Sequence, residues 1–247
     1  WIFGGGFNIF YDVTGEISQN AIMQGVIFFL LFGLINTLID LVFDIYNTFV
    51  IEQKFGFNNT TKLIFIKDLM KQFILSTLIG GIFLYALLLI LYTLGENWWV
   101  YAWVFMSLFQ FTLIWAYPRF ISPLFNKFHQ LDDESLADKI QDLCSRCKIN
   151  FKDYFVMDAS IRSSNGNAYF TGFSKNKRNV FVDTLLKTLT PHEVIAVIAH
   201  ELGHFKKKHI YKSIVMSLAE SFIGLALLGY YYNHSEFPIY FEQTHIN

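Results

Sequence analysis

The chain has 247 residues, enough for one or two ordinary domains, but 53% of them are hydrophobic, 28 are Phe and 13 are Tyr, and the mean hydropathy is +0.37. That composition is unusual for a soluble protein and marks a membrane protein whose first partner is the lipid bilayer. A formal net charge of −1 supplies no electrostatic basis for binding nucleic acid or for recruiting an acidic partner.

The opening WIFGGGF carries glycines but lacks the following helix and acidic partner of a nucleotide site, and it reads as a loop. The sequence starts at Trp1 rather than Met, which predicts further residues upstream. No secretory signal peptide opens it, because the first apolar run is too long and too far from a basic start.

Four apolar segments, near 21–46, 73–94, 98–117 and 210–231, approach the roughly 20 residues that cross a hydrocarbon core. The predicted organisation is a transmembrane region over 1–117, a soluble unit over 118–209, and a final span with its exit over 210–247. The fold class is therefore mainly α, a multi-pass membrane protein with an inserted α+β domain.

Orientation follows from charge. Among the 19 Lys and Arg, Lys54, Lys62, Lys67 and Lys71 lie between the first two spans, and the others all lie between Arg119 and Lys212. By the positive-inside rule the 51–72 loop and the 118–209 unit are cytoplasmic, and the chain start, the short loop at Glu96 and the chain end are lumenal or external. Asp40 and Asp44 fall at the cytoplasmic end of their span, where interfacial water solvates them. Asn58 and Asn59 sit in glycosylation patterns on the cytoplasmic side, whereas Asn233 sits in one on the lumenal side.

Within the soluble unit, LDDESLADKIQDLCSRCKI places Leu136, Ile140, Leu143 and Cys147 at helical spacing, as a core-facing stripe requires. Cys144 and Cys147 therefore read as packing cysteines, neither a zinc half-site nor a disulfide. FKDYFVMDAS alternates like a strand. After the polar SSNGN, AYFTGF and NVFVDTLL flank SKNKR and read as a β-hairpin.

TLTPHEVIAVIAHELGHF then begins with strong helix-start signals: Thr190 as cap, Pro191 in the first helical position, and Glu193 three residues after the cap. On that helix His200 and His204 share one face, since residues four apart are neighbours. Two imidazoles so placed can direct nitrogens at one zinc ion, which takes neutral His ligands at about 2.0–2.1 Å and, in a catalytic site, keeps a position for water. Glu201 can approach that water as a general base.

The third ligand is missing. Glu220 lies 16 residues after His204, and an unbroken helix would carry it about 24 Å away at about 1.5 Å per residue. His209 has the same difficulty at shorter range, and Lys206–Lys208 read as a solvated interfacial charge run. Glu236, Glu242 and His245 follow the last span and belong to the opposite side of the membrane. An ionisable Glu220 in mid-span costs at least about 2.5–3.5 kcal/mol, which predicts that it faces an internal aqueous chamber.

AHELGHFKKKH, the hairpin NAYFTGFSKNKRNVFVDTLL and the loop YNTFVIEQKFGFNNTT together resemble the type I CAAX prenyl proteases, zinc metalloproteases of the endoplasmic reticulum membrane. The similarity runs over 22–222, and the loop and hairpin are more specific than the zinc motif. The resemblance implies a helical transmembrane barrel around a water-filled chamber, closed on its cytoplasmic side by the protease domain. It implies cleavage after the prenylated cysteine of C-a-a-X proteins, with His200 and His204 as zinc ligands and Glu201 as general base. It also places Asn167, Ala168 and Tyr169 on a strand bordering the catalytic cleft, where substrate can add as a further strand. In such proteases a later helix supplies a glutamate as third ligand, and His and Arg residues near the end support the substrate. This sequence contains no counterpart to them, so the chain is expected to be a fragment of a longer protein. The alternatives are an incomplete homologue serving as a membrane subunit and a membrane quality-control protease of the same clan.

Overall fold

A computed structural model describes residues 6–149, 154–166, 168–171 and 178–234. In chain order its elements are α1 (Gly6–Ile17), α2 (Ala21–Tyr46), a π-helical segment Asn47–Glu52, α3 (Lys62–Thr93), α4 (Trp98–Ala116), a second π-helical segment Tyr117–Ile121, α5 (Ser122–Phe125), β1 (Phe128–Gln130), α6 (Glu134–Arg146), β2 (Tyr154–Met157), β3 (Ala168–Thr171), β4 (Arg178–Val182), α7 (Asp183–Thr188), α8 (Pro191–Lys206) and α9 (His209–His234). Among the described residues, four stretches are long and apolar enough to cross a membrane: Ala21–Glu52, Lys62–Thr93, Gly95–Phe125 and His209–His234. The fold is mainly helical, as the composition requires.

Two elements depart from the sequence reading. Gly6 begins a helix rather than continuing a loop, and α3 starts at Lys62, eleven residues ahead of the apolar run at 73. Its 32 residues extend about 48 Å at about 1.5 Å each, against a hydrocarbon core of about 30 Å. The excess accommodates Lys62, Lys67, Asp68 and Lys71, which hydropathy alone assigns to a loop.

The chain divides into two compact units. The first is drawn from Trp1–Asp44, Leu69–Phe109 and Met216–Asn247. Aromatic side chains join its helices: Phe83 stacks on Phe105 at 5.4 Å, and Phe222 of α9 meets Trp99 and Trp103 of α4 edge-on at 5.6 and 5.3 Å. The Trp103 indole N–H donates to the Leu218 carbonyl at 3.0 Å. Gly229 permits this approach, because a Cβ there would lie 2.4 Å from Trp99, the small-residue contact that lets membrane helices close on each other. The Asn233 amide donates to the Glu96 carbonyl at 2.9 Å. The nitrogen that would carry a glycan is thus engaged.

The second unit is drawn from Ile45–Asp68 and Gln110–Val215. Its sheet runs β1-β2-β4-β3, antiparallel except for the parallel β2/β4 pair. The predicted hairpin is present, with Ala168 opposite Phe181 and Thr171 opposite Arg178; its connection, 172–177, lies outside the described residues. DTLL, read as the end of a strand, instead opens α7. The Asp183 carboxylate accepts from the Ser160 backbone N–H at 2.8 Å, from the Ser160 hydroxyl, and from Lys187 at 2.8 Å.

Partial burial raises the Asp183 pKa, but the hydrogen bonds from Lys187 and Ser160 outweigh it and hold the carboxyl below its ordinary value. A carboxyl depressed on folding adds stability that is complete above its unfolded pKa and is lost as pH falls through the folded one. Asp183→Asn should therefore cost roughly 1.5–3 kcal/mol at neutral pH, the range for hydrogen bonds to a charged group. In thermal unfolding across pH, its gap from wild type should close below the ordinary Asp value of 3.8.

The core of this unit is Leu136, Ile140 and Cys144 of α6, Ala168 and Phe181 of the sheet, Leu185 of α7, and Val194, Ile198 and Leu202 of α8. Asp133 caps α6 by accepting from the Leu136 N–H at 3.0 Å. Cys144, not Cys147, is the cysteine fully inside. Both are free thiols, and burial together with the neighbouring Cys147 pushes the Cys144 thiol up to about 11, the state of an inert packing residue.

Candidate active site

Helix α8 carries His200, Glu201 and His204, and its ends and rotation are built locally. The Thr190 backbone N–H donates to the Glu193 carboxylate at 2.8 Å, completing the capping box. Those hydrogen bonds, backbone first, hold the Glu193 carboxyl below its ordinary value. Val194, Ile198 and Leu202, four residues apart, are at most 1% exposed and pack into the core. That stripe sets the rotation of the helix. At roughly 100° per residue, His200 and His204 emerge nearly opposite it and Glu201 beside it. Both histidines are exposed and Glu201 is half-buried.

Small and aliphatic neighbours do not enclose the pair within the described residues. Ala196, Ala199 and Gly203 share the open face with the histidines, and aliphatic burial is confined to the other side.

The rings are nevertheless directed. Nε2 of His204 lies 3.1 Å from Nε2 of His200. Two nitrogens about 2.05 Å from one tetrahedral zinc stand about 3.3 Å apart, so the pair fits two corners of such a site. The remaining corners are less complete: among the described residues no three His, Cys, Asp or Glu side chains form a metal-holding group.

The expected rod between His204 and Glu220 is not there. No unbroken helix connects the two, because α8 ends at Lys206 and Lys208 takes a left-handed φ of 55° before α9 begins. The turn folds His209 back, so that its Nδ1 lies 2.8 Å from Nδ1 of His204. His209 thus meets the nitrogen of His204 that faces away from His200 and does not join those two as a ligand.

Strand β3 packs against α8 and is the end strand of the sheet. Ala168 is buried, Tyr169 pairs through its backbone with Val180, and Asn167 lies outside the described residues.

The segment leading into β3 is anchored by residues that sequence reasoning passed over. The Arg162 guanidinium donates to Asp68 at 2.7 and 3.2 Å, to the Phe125 carbonyl at 2.6 Å and to Asn126 at 3.1 Å. The Arg162 carbonyl accepts from the Asn59 N–H at 3.0 Å and from the Thr60 hydroxyl at 2.9 Å. The Asn59 amide donates to the Ser160 carbonyl and the Ser164 hydroxyl, each at 3.0 Å. The FNNTT loop is therefore stitched to 160–164, and its sequon asparagine is structural. A lone Asp68 among Lys62, Lys67 and Lys71 was the available signal.

A family model described as CAAX prenyl protease N-terminal, five membrane helices, matches residues 1–127, and one for peptidase family M48 matches 130–239. The chain is 44% identical over 177 residues to a CAAX prenyl protease 1 homolog of Arabidopsis thaliana, covering 71% of this chain and 42% of the relative. It is 37% identical over 219 residues to CAAX prenyl protease 1 of Saccharomyces cerevisiae, covering 88% and 48% respectively. The crystal structure of S. mikatae Ste24p is similar with a TM-score of 0.83 at 37% identity, over 90% of this chain and 53% of that one. The chain spans about half the length of the curated relatives it matches. With both halves matched and the helical fold shared, the chain belongs to the CAAX prenyl protease family of M48 membrane metalloproteases.

Proposed function

We propose that the protein is an integral-membrane zinc metalloendopeptidase that removes the C-terminal tripeptide from prenylated C-a-a-X proteins, with its protease domain on the cytoplasmic face of the endoplasmic reticulum. The observation that carries this reading is the 3.1 Å Nε2 pair of His200 and His204 on α8, beside Glu201. Zinc bound there would polarise the scissile carbonyl and acidify water. Glu201 takes the proton from the attacking water and returns it to the leaving amide nitrogen. The β3 edge at Ala168 and Tyr169, together with Asn167, holds the peptide extended by adding it as a strand. The prenyl chain lies among the apolar spans, and the helices enclose a water-filled chamber that solvates Glu220.

A second reading, a catalytically incomplete homologue acting as a structural membrane subunit, is favoured by one observation: among the described residues no three-ligand group forms. Metal analysis and peptide cleavage on the purified full-length gene product separate the two. About one zinc per chain, as a catalytic site of this type holds, with cutting confined to a farnesylated C-a-a-X peptide supports the protease. A zinc-free, inactive protein would sink it, and equal cutting of unprenylated membrane proteins would reassign it to quality control.

A further inference from the structure

We propose that His209 is a positioning residue for the metal site: its Nδ1 accepts the proton on Nδ1 of His204 and so commits Nε2 of His204 to the ion. The inference rests on the metalloprotease reading above. A neutral imidazole has one donor and one acceptor nitrogen. Because the Nε2 atoms of His200 and His204 face each other at 3.1 Å, Nε2 is the metal side of His204, and its proton must sit on Nδ1. That N–H needs an acceptor. Ligating histidines usually find one in a carboxylate, a backbone carbonyl or water. Here it is the Nδ1 lone pair of His209 at 2.8 Å, with ring centroids 4.8 Å apart and planes at 82°. His209 then carries its own proton on Nε2.

The contact follows from how α8 ends. Lys207 is the cap, and the Lys208 N–H donates to the Phe205 carbonyl at 3.0 Å with Lys208 left-handed. In such helix ends the residue after the left-handed one folds onto the third residue back from the cap, generally as an apolar contact. Those two positions are His209 and His204. The turn is made by Lys rather than Gly, and it ends in an imidazole pair where a greasy contact would suffice for folding.

The test is zinc affinity, measured by chelator competition on the full-length, detergent-solubilised protein as wild type, His209→Leu and His209→Gln. Leu keeps the apolar contact usual at this helix end and removes the acceptor, so unfolding of the metal-free protein should be unchanged. Zinc should bind about 10–100-fold more weakly to His209→Leu, the usual loss when such a partner is removed. Gln, whose amide oxygen accepts, should restore most of that loss. His209→Leu binding within about twofold of wild type, against that 10–100-fold expectation, would overturn the proposal, as would a Gln variant as weak as Leu. Wild-type protein lacking zinc altogether sinks the metalloprotease reading with it, whereas a zinc-loaded wild type with an unaffected Leu variant sinks this role alone.

Discussion

Glu201→Gln is expected to slow cleavage of a farnesylated C-a-a-X peptide by a factor of about 10²–10⁴, the usual contribution of a positioned general base, while zinc content stays at the wild-type level. Gln matches Glu in shape but cannot take a proton. Glu201 stands beside the buried stripe of α8 and is itself only half-buried, so the exchange leaves the core that fixes the helix untouched. Loss of zinc in the variant would make Glu201 a ligand instead of a base, and unchanged cleavage would remove it from the mechanism. His200→Ala separates the possibilities further, because it should lose metal and activity together.

Arg162→Ala should lower unfolding stability by roughly 2–4 kcal/mol, read as a reduced unfolding temperature in detergent. The guanidinium and the Asp68 carboxylate are only 24% and 21% exposed, so solvent weakens the pair less than it would a surface ion pair. Removing the side chain leaves the Asp68 carboxylate, the Phe125 carbonyl and the Asn126 amide without their shared donor. The Arg162 backbone carbonyl keeps Asn59 and Thr60, which isolates the side-chain contribution. In a double-mutant cycle with Asp68→Ala the two losses should overlap by about 1 kcal/mol or more. Simple additivity would show that the pair is incidental to stability.

The parts of the protein that could be read from sequence are those in which cause and effect lie within a turn or two. The capping box at Thr190 and Glu193 and the spacing that brings His200 to His204 are both contained in one helix. The β3/β4 hairpin was legible for the same reason. Arg162 and Asp68 are 94 residues apart, and nothing local to either announces the other. The three-residue β1, polar in two of its positions, has no period to detect and exists because β2 offers it a ladder. The break after Lys206 was invisible because helix ends are usually signalled by Gly or Pro, and here a lysine adopts the left-handed turn. That one turn replaces a continuous rod toward Glu220 with a bend that brings His209 to His204.

The wide helical turns at Asn47–Glu52 and Tyr117–Ile121 bear on how such a chain varies over time. A π turn holds more residues than an α turn, and each additional residue rotates the downstream chain by roughly 100°. A wide turn takes up one added residue in place, so the apolar stretch before it keeps its phase toward lipid. Both wide turns fall where a long apolar helix gives way to polar chain, so a codon gained or lost at either point leaves the lipid-facing pattern of the preceding span as it was.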